Sequence, residues 1–187
     1  MLRSLFAAVC LLTLVMPGYA QLQIPRLNSI FPCGGKQGTT VDTVIAGGEL
    51  TDATGLYFSH PGITAKPAGP GKFKVAIAKD VPLGPYDVRV ITPLGLSNFR
   101  AFVVGDVPEV QEKEPNNEPS QAQRVSLPVV INGRMDGGTD VDFYVFAAKK
   151  GQRIVIDCWA LPDLWPACGV AISQPSQFIR SSDVAAN

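Results

Sequence analysis

Apolar and polar residues alternate with a period of two along several short stretches of the chain. In the clearest of them, Tyr86, Val88 and Val90 would face a core while the two charged residues between them face water. Glycine and proline turns separate further strand-length runs at residues 41–46, 55–59, 72–78 and 99–104. Five or more strands at such short spacing can close a core within about eighty residues, so the pattern predicts a small antiparallel β-sandwich.

A second group of strand-length runs follows at residues 128–133, 142–147 and 152–158. The run at 142–147 has apolar residues on both of its faces, which predicts a central strand covered on both sides. After residue 159 only 169–172 could be a strand, since the rest of the tail lacks turn-bounded alternation. The second sandwich is therefore predicted to be partial, and we expect the chain to be a truncated or frame-shifted product of a longer exported protein.

Between the two groups the chain changes character, because residues 105–123 are dense in acidic residues and proline. Such a segment is typical of an interdomain boundary. The predicted organisation is a signal peptide at 1–20, an immunoglobulin-like domain at 24–105, a charged linker and entrance loop at 106–123, a partial β-sandwich at 124–159 and an irregular tail at 160–187.

The start of the chain is typical of a secretory signal, with Arg3 ahead of an apolar run that ends at Met16 and a small-residue cleavage site at 17–20. The apolar run is too short to span a bilayer, and we expect no membrane span. A lipid-modified Cys10 is the alternative, but it lies very early in the apolar run. We therefore expect a secreted, periplasmic or cell-surface protein.

Charge and cysteine usage narrow the function classes. The chain has 16 basic and 16 acidic residues, and loss of Arg3 with the signal leaves 15 against 16, which gives no electrostatic reason to bind nucleic acid. Three cysteines remain after cleavage of the signal: Cys33, Cys158 and Cys168. Because their number is odd, at least one thiol stays unpaired, and the spacing alone does not decide whether Cys158 and Cys168 form a disulfide.

We predict that the protein is not an enzyme and has no catalytic residues. The single histidine, His60, lies in a predicted turn, and the chain contains no Gly-x-Ser-x-Gly motif and no protease-type cysteine motif. One histidine and three scattered cysteines also lack the paired spacing of a zinc site.

The first domain carries motifs whose order is specific. They include Ser29-Ile30-Phe31-Pro32, Gly34-Gly35, Ile45-Ala46-Gly47-Gly48, Gly84-Pro85-Tyr86-Asp87-Val88-Arg89-Val90 and Gly95-Leu96-Ser97-Asn98. In this order they resemble an IPT/TIG immunoglobulin-like domain over residues 24–105. The resemblance implies a spacer or binding module and no catalytic residues.

The second segment also carries motifs in a specific order: Glu112-Lys113-Glu114-Pro115-Asn116-Asn117, Ile131-Asn132-Gly133-Arg134, Asp140-Val141-Asp142-Phe143-Tyr144-Val145-Phe146 and 150–157. Together they resemble the bacterial pre-peptidase C-terminal domain, a jelly-roll-like β-sandwich related to the collagen-binding modules of secreted collagenases. The resemblance implies an all-β chain that combines an immunoglobulin-like sandwich with a partial second sandwich.

The acidic motif at the start of this segment is a candidate calcium site. Calcium prefers six to eight oxygen ligands, and an extended segment can point Glu112, Glu114 and Asn116 the same way. Asp140 and Asp142 could complete the shell from the start of the following strand. In the related collagen-binding modules the matching motif binds calcium, which implies the same for Glu112, Glu114 and Asn116, together with Asn117 and Asp140. A solvated charged linker with an Asn-Asn turn is the alternative.

Aromatic residues could also bind a ligand, although alternating strands place most of them in the core; Tyr144 and Trp159 are the better surface candidates. The function predicted from the sequence is extracellular binding or scaffolding of protein or polysaccharide, assisted by calcium and by no other cofactor. Two alternatives stay open: a non-catalytic accessory fragment of a longer secreted peptidase or hydrolase, and a structural spacer of a surface protein.

Overall fold

The computed structural model describes residues 23–134, 140–159 and 167–173. These residues form short β-strands and one 3-10 turn at Pro119–Gln121. The strands are β1 Arg26–Phe31, β2 Gly34–Lys36, β3 Thr40–Gly48, β4 Gly55–Phe58, β5 Ile63–Gly69, β6 Lys72–Ile77, β7 Gly84–Thr92, β8 Gly95–Leu96, β9 Arg100–Gly105, β10 Glu109–Gln111, β11 Gln123–Arg124, β12 Val129–Arg134, β13 Tyr144–Val145, β14 Val155–Trp159 and β15 Ala167–Ser173. The predicted all-β class is confirmed.

Two sheets build the first domain. One has the strand order β1-β3-β6-β5 and is antiparallel throughout; the other has the order β2-β9-β7-β4, with β8 paired to β7. Strand β2 lies parallel to β9, whereas the other pairs of the second sheet are antiparallel. The chain therefore crosses from one sheet to the other between β1 and β2, as in a sandwich rather than a meander.

The core of this domain forms where the two sheets face each other. Strand β6 contributes to this core because its residues alternate strictly between buried and exposed. Phe73, Val75 and Ile77 face the core, while the lysines between them face water. From the opposite sheet Phe58 and Phe102 meet edge to face, with ring centroids 5.3 Å apart. Aromatic pairs in this geometry add to the stabilisation from area burial, so the inner layer is fixed by shape as well as by hydrophobicity.

A smaller core holds the second domain together. Its main sheet has the order β10-β12-β15-β14, and a two-stranded parallel sheet, β11-β13, lies against it. Val125, Val129, Ile131 and Ile172 are its buried members. No helix among the described residues is long and apolar enough to cross a bilayer.

Several sequence-based expectations differ from this architecture. The run at 142–147 forms only the two-residue strand β13, which pairs with β11 alone among the described strands, so its predicted central position is wrong. Its apolar residues on the outer face are instead partly exposed, as Val145 shows. The segment 106–123, expected as linker, supplies β10 to the second sheet, and the tail after 160 supplies the full strand β15.

Strand register also bears on the proposed disulfide. Cys158 of β14 lies opposite Val170, and Cys168 of β15 lies opposite Gly133 of β12. The two cysteines are therefore diagonal neighbours on adjacent strands, a separation greater than that of a directly opposed pair. Cys158 is a free, exposed thiol. The signal peptide at 1–20 and most of the tail lie outside the described residues.

Phe73 and its neighbour Lys74 provide a test of the core assignment. Replacing Phe73 by alanine should cost about 3–5 kcal/mol of unfolding free energy, because it leaves a cavity between the sheets. Lys74→Ala removes only an exposed ion pair with Asp42, at 2.7 Å, and should cost under about 1 kcal/mol. Urea denaturation of both variants measures the difference, and equal costs would contradict this placement of the core.

Candidate metal centre

Three carboxyl groups converge at the entrance of the second domain. Glu112 and Glu114 follow β10, and Asp142 precedes β13; one oxygen from each lies within 4.8 Å of the other two. The extended backbone after β10 places Glu112 and Glu114 on the same side of the chain, as a period of two requires. The backbone N–H of Phe143 donates to the Asn116 carbonyl at 2.9 Å and so fixes Asp142 opposite them.

Asn116 is the buried centre of this cluster. Its side chain is fully buried, and in one orientation its amide nitrogen donates to Glu112 Oε1 at 3.4 Å. With the amide turned over, the nitrogen donates to Glu114 Oε2 at 3.0 Å and to Asp142 Oδ1 at 3.2 Å, which satisfies the network better. The same rotation decides whether Asn116 presents an N–H group or a carbonyl oxygen to the carboxylates.

A second amide and carboxylate lie beside the cluster. When the Asn117 amide is turned over, its nitrogen donates to Asp140 Oδ1 at 2.9 Å and to the Val141 carbonyl at 3.1 Å. Burial is the largest cause of the raised pKa values of Glu114 and Asp142, and the charge of Asp140 adds to both shifts. Asp140 and Asn117 thus form an outer layer around the three carboxyl groups.

Electrostatics make the cluster unfavourable when every carboxyl group is ionised. Burial, followed by the neighbouring Asp142, raises the pKa of Glu112, although hydrogen bonds from the Arg134 N–H and from Asn116 oppose the shift. Burial, together with the charges of Asp140 and Glu114, also raises the pKa of Asp142. The carboxyl groups of Glu112 and Asp142 lie within 4.8 Å of each other, so the protonation of one affects the pKa of the other.

Backbone groups of strand β12 fix the position of Glu112 through hydrogen bonds. The Arg134 backbone N–H donates to Glu112 Oε2 at 2.6 Å, and the Glu112 N–H donates to the Asn132 carbonyl at 2.9 Å. Gly133 lies between these two residues, and a Cβ atom there would sit 3.0 Å from Glu112 Oε2. A larger residue would push the carboxyl group away by a few tenths of an ångström, so glycine favours this close approach.

The donor set suits a hard cation. The three carboxylates offer oxygen ligands alone, and Asn116 adds its carbonyl oxygen in the orientation that points this atom at Glu114 and Asp142, a donor set that favours calcium over zinc. No ion pair within 4.0 Å joins Glu112, Glu114 or Asp142 to a lysine or arginine among the described residues. A divalent cation would offset the repulsion between these carboxylates, which adds to the effect of burial on their pKa values.

All six residues expected from the sequence, Glu112, Glu114, Asn116, Asn117, Asp140 and Asp142, lie at this entrance. Whether they bind a metal stays a prediction. The roles of Gly133 and Arg134 beside the Glu112 carboxyl group were not predicted from the sequence. The Asn-Gly-Arg sequence at 132–134 was the feature that could have indicated them. It also placed Tyr144 on the surface, whereas Tyr144 is half-buried against the second core. The side chain of Trp159 lies outside the described part of the chain.

Comparison with known proteins gives little further information. No family model matches the chain, and no curated protein matches it. Among solved structures, the chain is similar to the SGBP-B protein of the Bacteroides ovatus mixed-linkage glucan utilization locus, solved in complex with a mixed-linkage heptasaccharide. The sequence identity is 18% and the TM-score 0.33; the match covers 55% of this chain and 25% of that chain. A likeness of this size carries no argument about function.

Asp142→Asn separates the two electrostatic states of the cluster. Without metal, the variant should be more stable than the natural chain near pH 7, because it removes one of three repelling carboxylates. With calcium, the natural chain should gain about 2–3 kcal/mol at a concentration a hundredfold above Kd, and the variant should gain much less. Thermal unfolding with excess calcium and with chelator measures both effects.

Glu118→Gln is the matched control for this experiment, since Glu118 is exposed and outside the cluster. It should respond to calcium as the natural chain does. A natural chain whose melting temperature is the same in calcium and in chelator would contradict the metal site.

Proposed function

We propose that the protein is an exported, non-catalytic binding module for extracellular polysaccharide or protein, with a calcium ion at the entrance of its second domain. The observation that carries the proposal is the convergence of Glu112, Glu114 and Asp142 on the buried Asn116. A calcium ion there would join the segment after β10 to the segment before β13. It would therefore order the entrance of the second domain without taking part in chemistry.

The surroundings of the histidine and of the buried cysteine support a non-catalytic role. His60 Nδ1 accepts a hydrogen bond from the Gly62 N–H at 3.1 Å, and its ring packs edge-on against Tyr86 at 5.3 Å. The histidine therefore stabilises a turn. The Cys33 thiol is buried and donates to Asn132 Oδ1 at 3.4 Å, so it is not presented to a substrate. Neither group has the geometry of a nucleophile and its base.

The outer face of the β2-β9-β7-β4 sheet supports a binding role. Tyr57 is 51% exposed and lies opposite Arg89, whose guanidinium sits 5.5 Å from the ring centroid of Phe99, itself 52% exposed. Ile91 and Leu96 pair on adjacent strands and continue the same surface. Two exposed aromatic rings with an arginine between them can stack on sugar rings and can also anchor a protein partner. We call this surface, formed by Tyr57, Arg89, Ile91, Leu96 and Phe99, the aromatic face.

Binding assays on collagen, chitin and bacterial cell-wall material test the proposal. The mature chain should be retained on at least one of them, and Tyr57→Ala combined with Phe99→Ala should lower the affinity at least about tenfold, because exposed aromatic anchors carry most of such binding energy. The matched control is Ile24→Ala, which removes an exposed apolar side chain, 73% exposed, from outside the aromatic face.

Two outcomes would count against the proposal in different ways. Retention on none of the three materials would contradict the binding function for those ligands and favour a spacer. Equal retention of the double variant and the Ile24→Ala control would show that the aromatic face does not carry the binding. Repeating the binding assays in calcium and in chelator shows whether a loss of retention comes from the aromatic face or from the metal site.

A further inference from the structure

The two domains meet through a small polar network that the proposed function does not use. Asn132 of β12 is 2% exposed; its Oδ1 accepts a hydrogen bond from the Cys33 thiol of the first domain at 3.4 Å, and its Nδ2 donates to Glu109 Oε2 at 2.8 Å. Close by, the Arg134 guanidinium lies 4.0 Å from the ring centroid of Phe31 at the end of β1. We call these contacts the joint.

Glu109 is an unusual residue to place at such a joint. Its side chain is half-buried, and its carboxyl group accepts a hydrogen bond from the buried side chain of Asn132. Burial raises the pKa of Glu109 to about 7, although the hydrogen bond from Asn132 acts in the opposite direction. Loss of solvent therefore outweighs the benefit of the amide donor, as expected for a carboxylate without a cationic partner.

The charged groups around Glu109 do not neutralise it. A cavity of about 470 Å³ between the domains is lined by Glu109 and Asn132 on one side and by Lys36 and Asp42 on the other. Asp42 is paired with Lys74, and Lys36 makes no ion pair with Glu109 within 4.0 Å among the described residues. The remaining nearby groups are the Cys33 thiol behind Asn132, Arg134 over Phe31, and the exposed Asp106 after β9.

We propose that the joint is proton-responsive: the two domains are held together while the Glu109 carboxyl group is protonated, and the joint loosens when that group ionises. A protonated carboxyl can stay against Asn132 and still accept its side-chain N–H through the carbonyl oxygen. An ionised carboxylate gains by hydration, which it obtains by admitting water from the adjoining cavity. An exported protein would then have a stiffer arrangement of its domains in acidic surroundings than in alkaline ones.

The direction of the pH effect follows from linkage. The pKa of Glu109 is higher in the closed joint than its ordinary value of 4.5. The stabilisation is therefore complete below about pH 4.5 and is lost as pH rises through about 7. The joint should therefore be tighter at pH 5 than at pH 8.5, with little further change above pH 8.5.

Hydrogen exchange on the mature chain at pH 5 and pH 8.5 tests this inference. Two amides flank the joint and are called the joint amides: Val103, which donates to the Cys33 carbonyl, and Val130, which donates to the Pro108 carbonyl, each at 2.9 Å. Ser97 and Gln152, which donate to the carbonyls of Val90 and Lys149, are references outside the joint. After correction for intrinsic exchange, protection at the joint amides should fall at least about tenfold more than at the references when the pH is raised.

Two variants make the test specific. Glu109→Gln cannot ionise, so its joint amides should keep at pH 8.5 the protection that the natural chain shows at pH 5. Glu118→Gln removes an exposed carboxylate elsewhere and should keep the natural response. Equal loss of protection at joint and reference amides, or an unchanged response in Glu109→Gln, would overturn the proposal.

A titration of the natural chain keeps the proposal falsifiable if Glu109→Gln does not fold. The side-chain carboxyl carbon of Glu109, followed by NMR, should titrate with a midpoint near 7. A midpoint near 4.5 would overturn the proposal.

Discussion

Strand β12 must satisfy three different surroundings over four consecutive residues, and the rest of the second domain depends on how it does so. Ile131 packs into the core, and the Asn132 side chain enters the joint with the first domain. Gly133 leaves room for the Glu112 carboxyl group, and the Arg134 N–H donates to it. Strand alternation alone cannot meet all these demands, which is why an asparagine and a glycine occupy buried positions in the middle of a sheet.

This arrangement places two desolvated acidic sites on one short strand, β10, and the residues that follow it. Glu109 contacts the side chain of Asn132, whereas Glu112 contacts backbone groups of Asn132 and Arg134. Carboxylates that are removed from water without a basic partner are costly, and both sites show raised carboxyl pKa values. A proton on Glu109 relieves the cost at the joint, and a bound cation relieves the cost at the cluster around Glu112. The joint therefore responds to pH, and the cluster responds to the concentration of the cation.

The sequence predicts the first domain better than the second for a physical reason. Strands such as β6 alternate between core and water, so Phe73 and Lys74 identify their own faces. Strand β13 does not, because the run from 142 to 147 has apolar residues on both faces, and this pattern predicted a longer and more central strand. Only Tyr144 and Phe146 of this run pack against the second core. Strand β15 pairs with both β12 and β14, which no local pattern could indicate.

The candidate site followed from motif chemistry, since oxygen-bearing side chains at alternate positions converge on one side of an extended chain. The joint could not be predicted, because Cys33 and Asn132 are 99 residues apart and meet only when both domains have formed. The burial of Glu109 has the same origin. Its position three residues before Glu112 looks like one more charge in a solvated linker, and only the packing of β10 against β12 removes its carboxyl group from water.

Calorimetric titration of the metal-free mature chain with calcium chloride tests the central claim most directly. We predict saturable binding of one ion per chain, with proton release because the cation favours the ionised form of carboxyl groups whose pKa values are raised, and an affinity at least about tenfold lower in Asp142→Asn. No saturable heat, together with no retention of calcium in equilibrium dialysis, would contradict it.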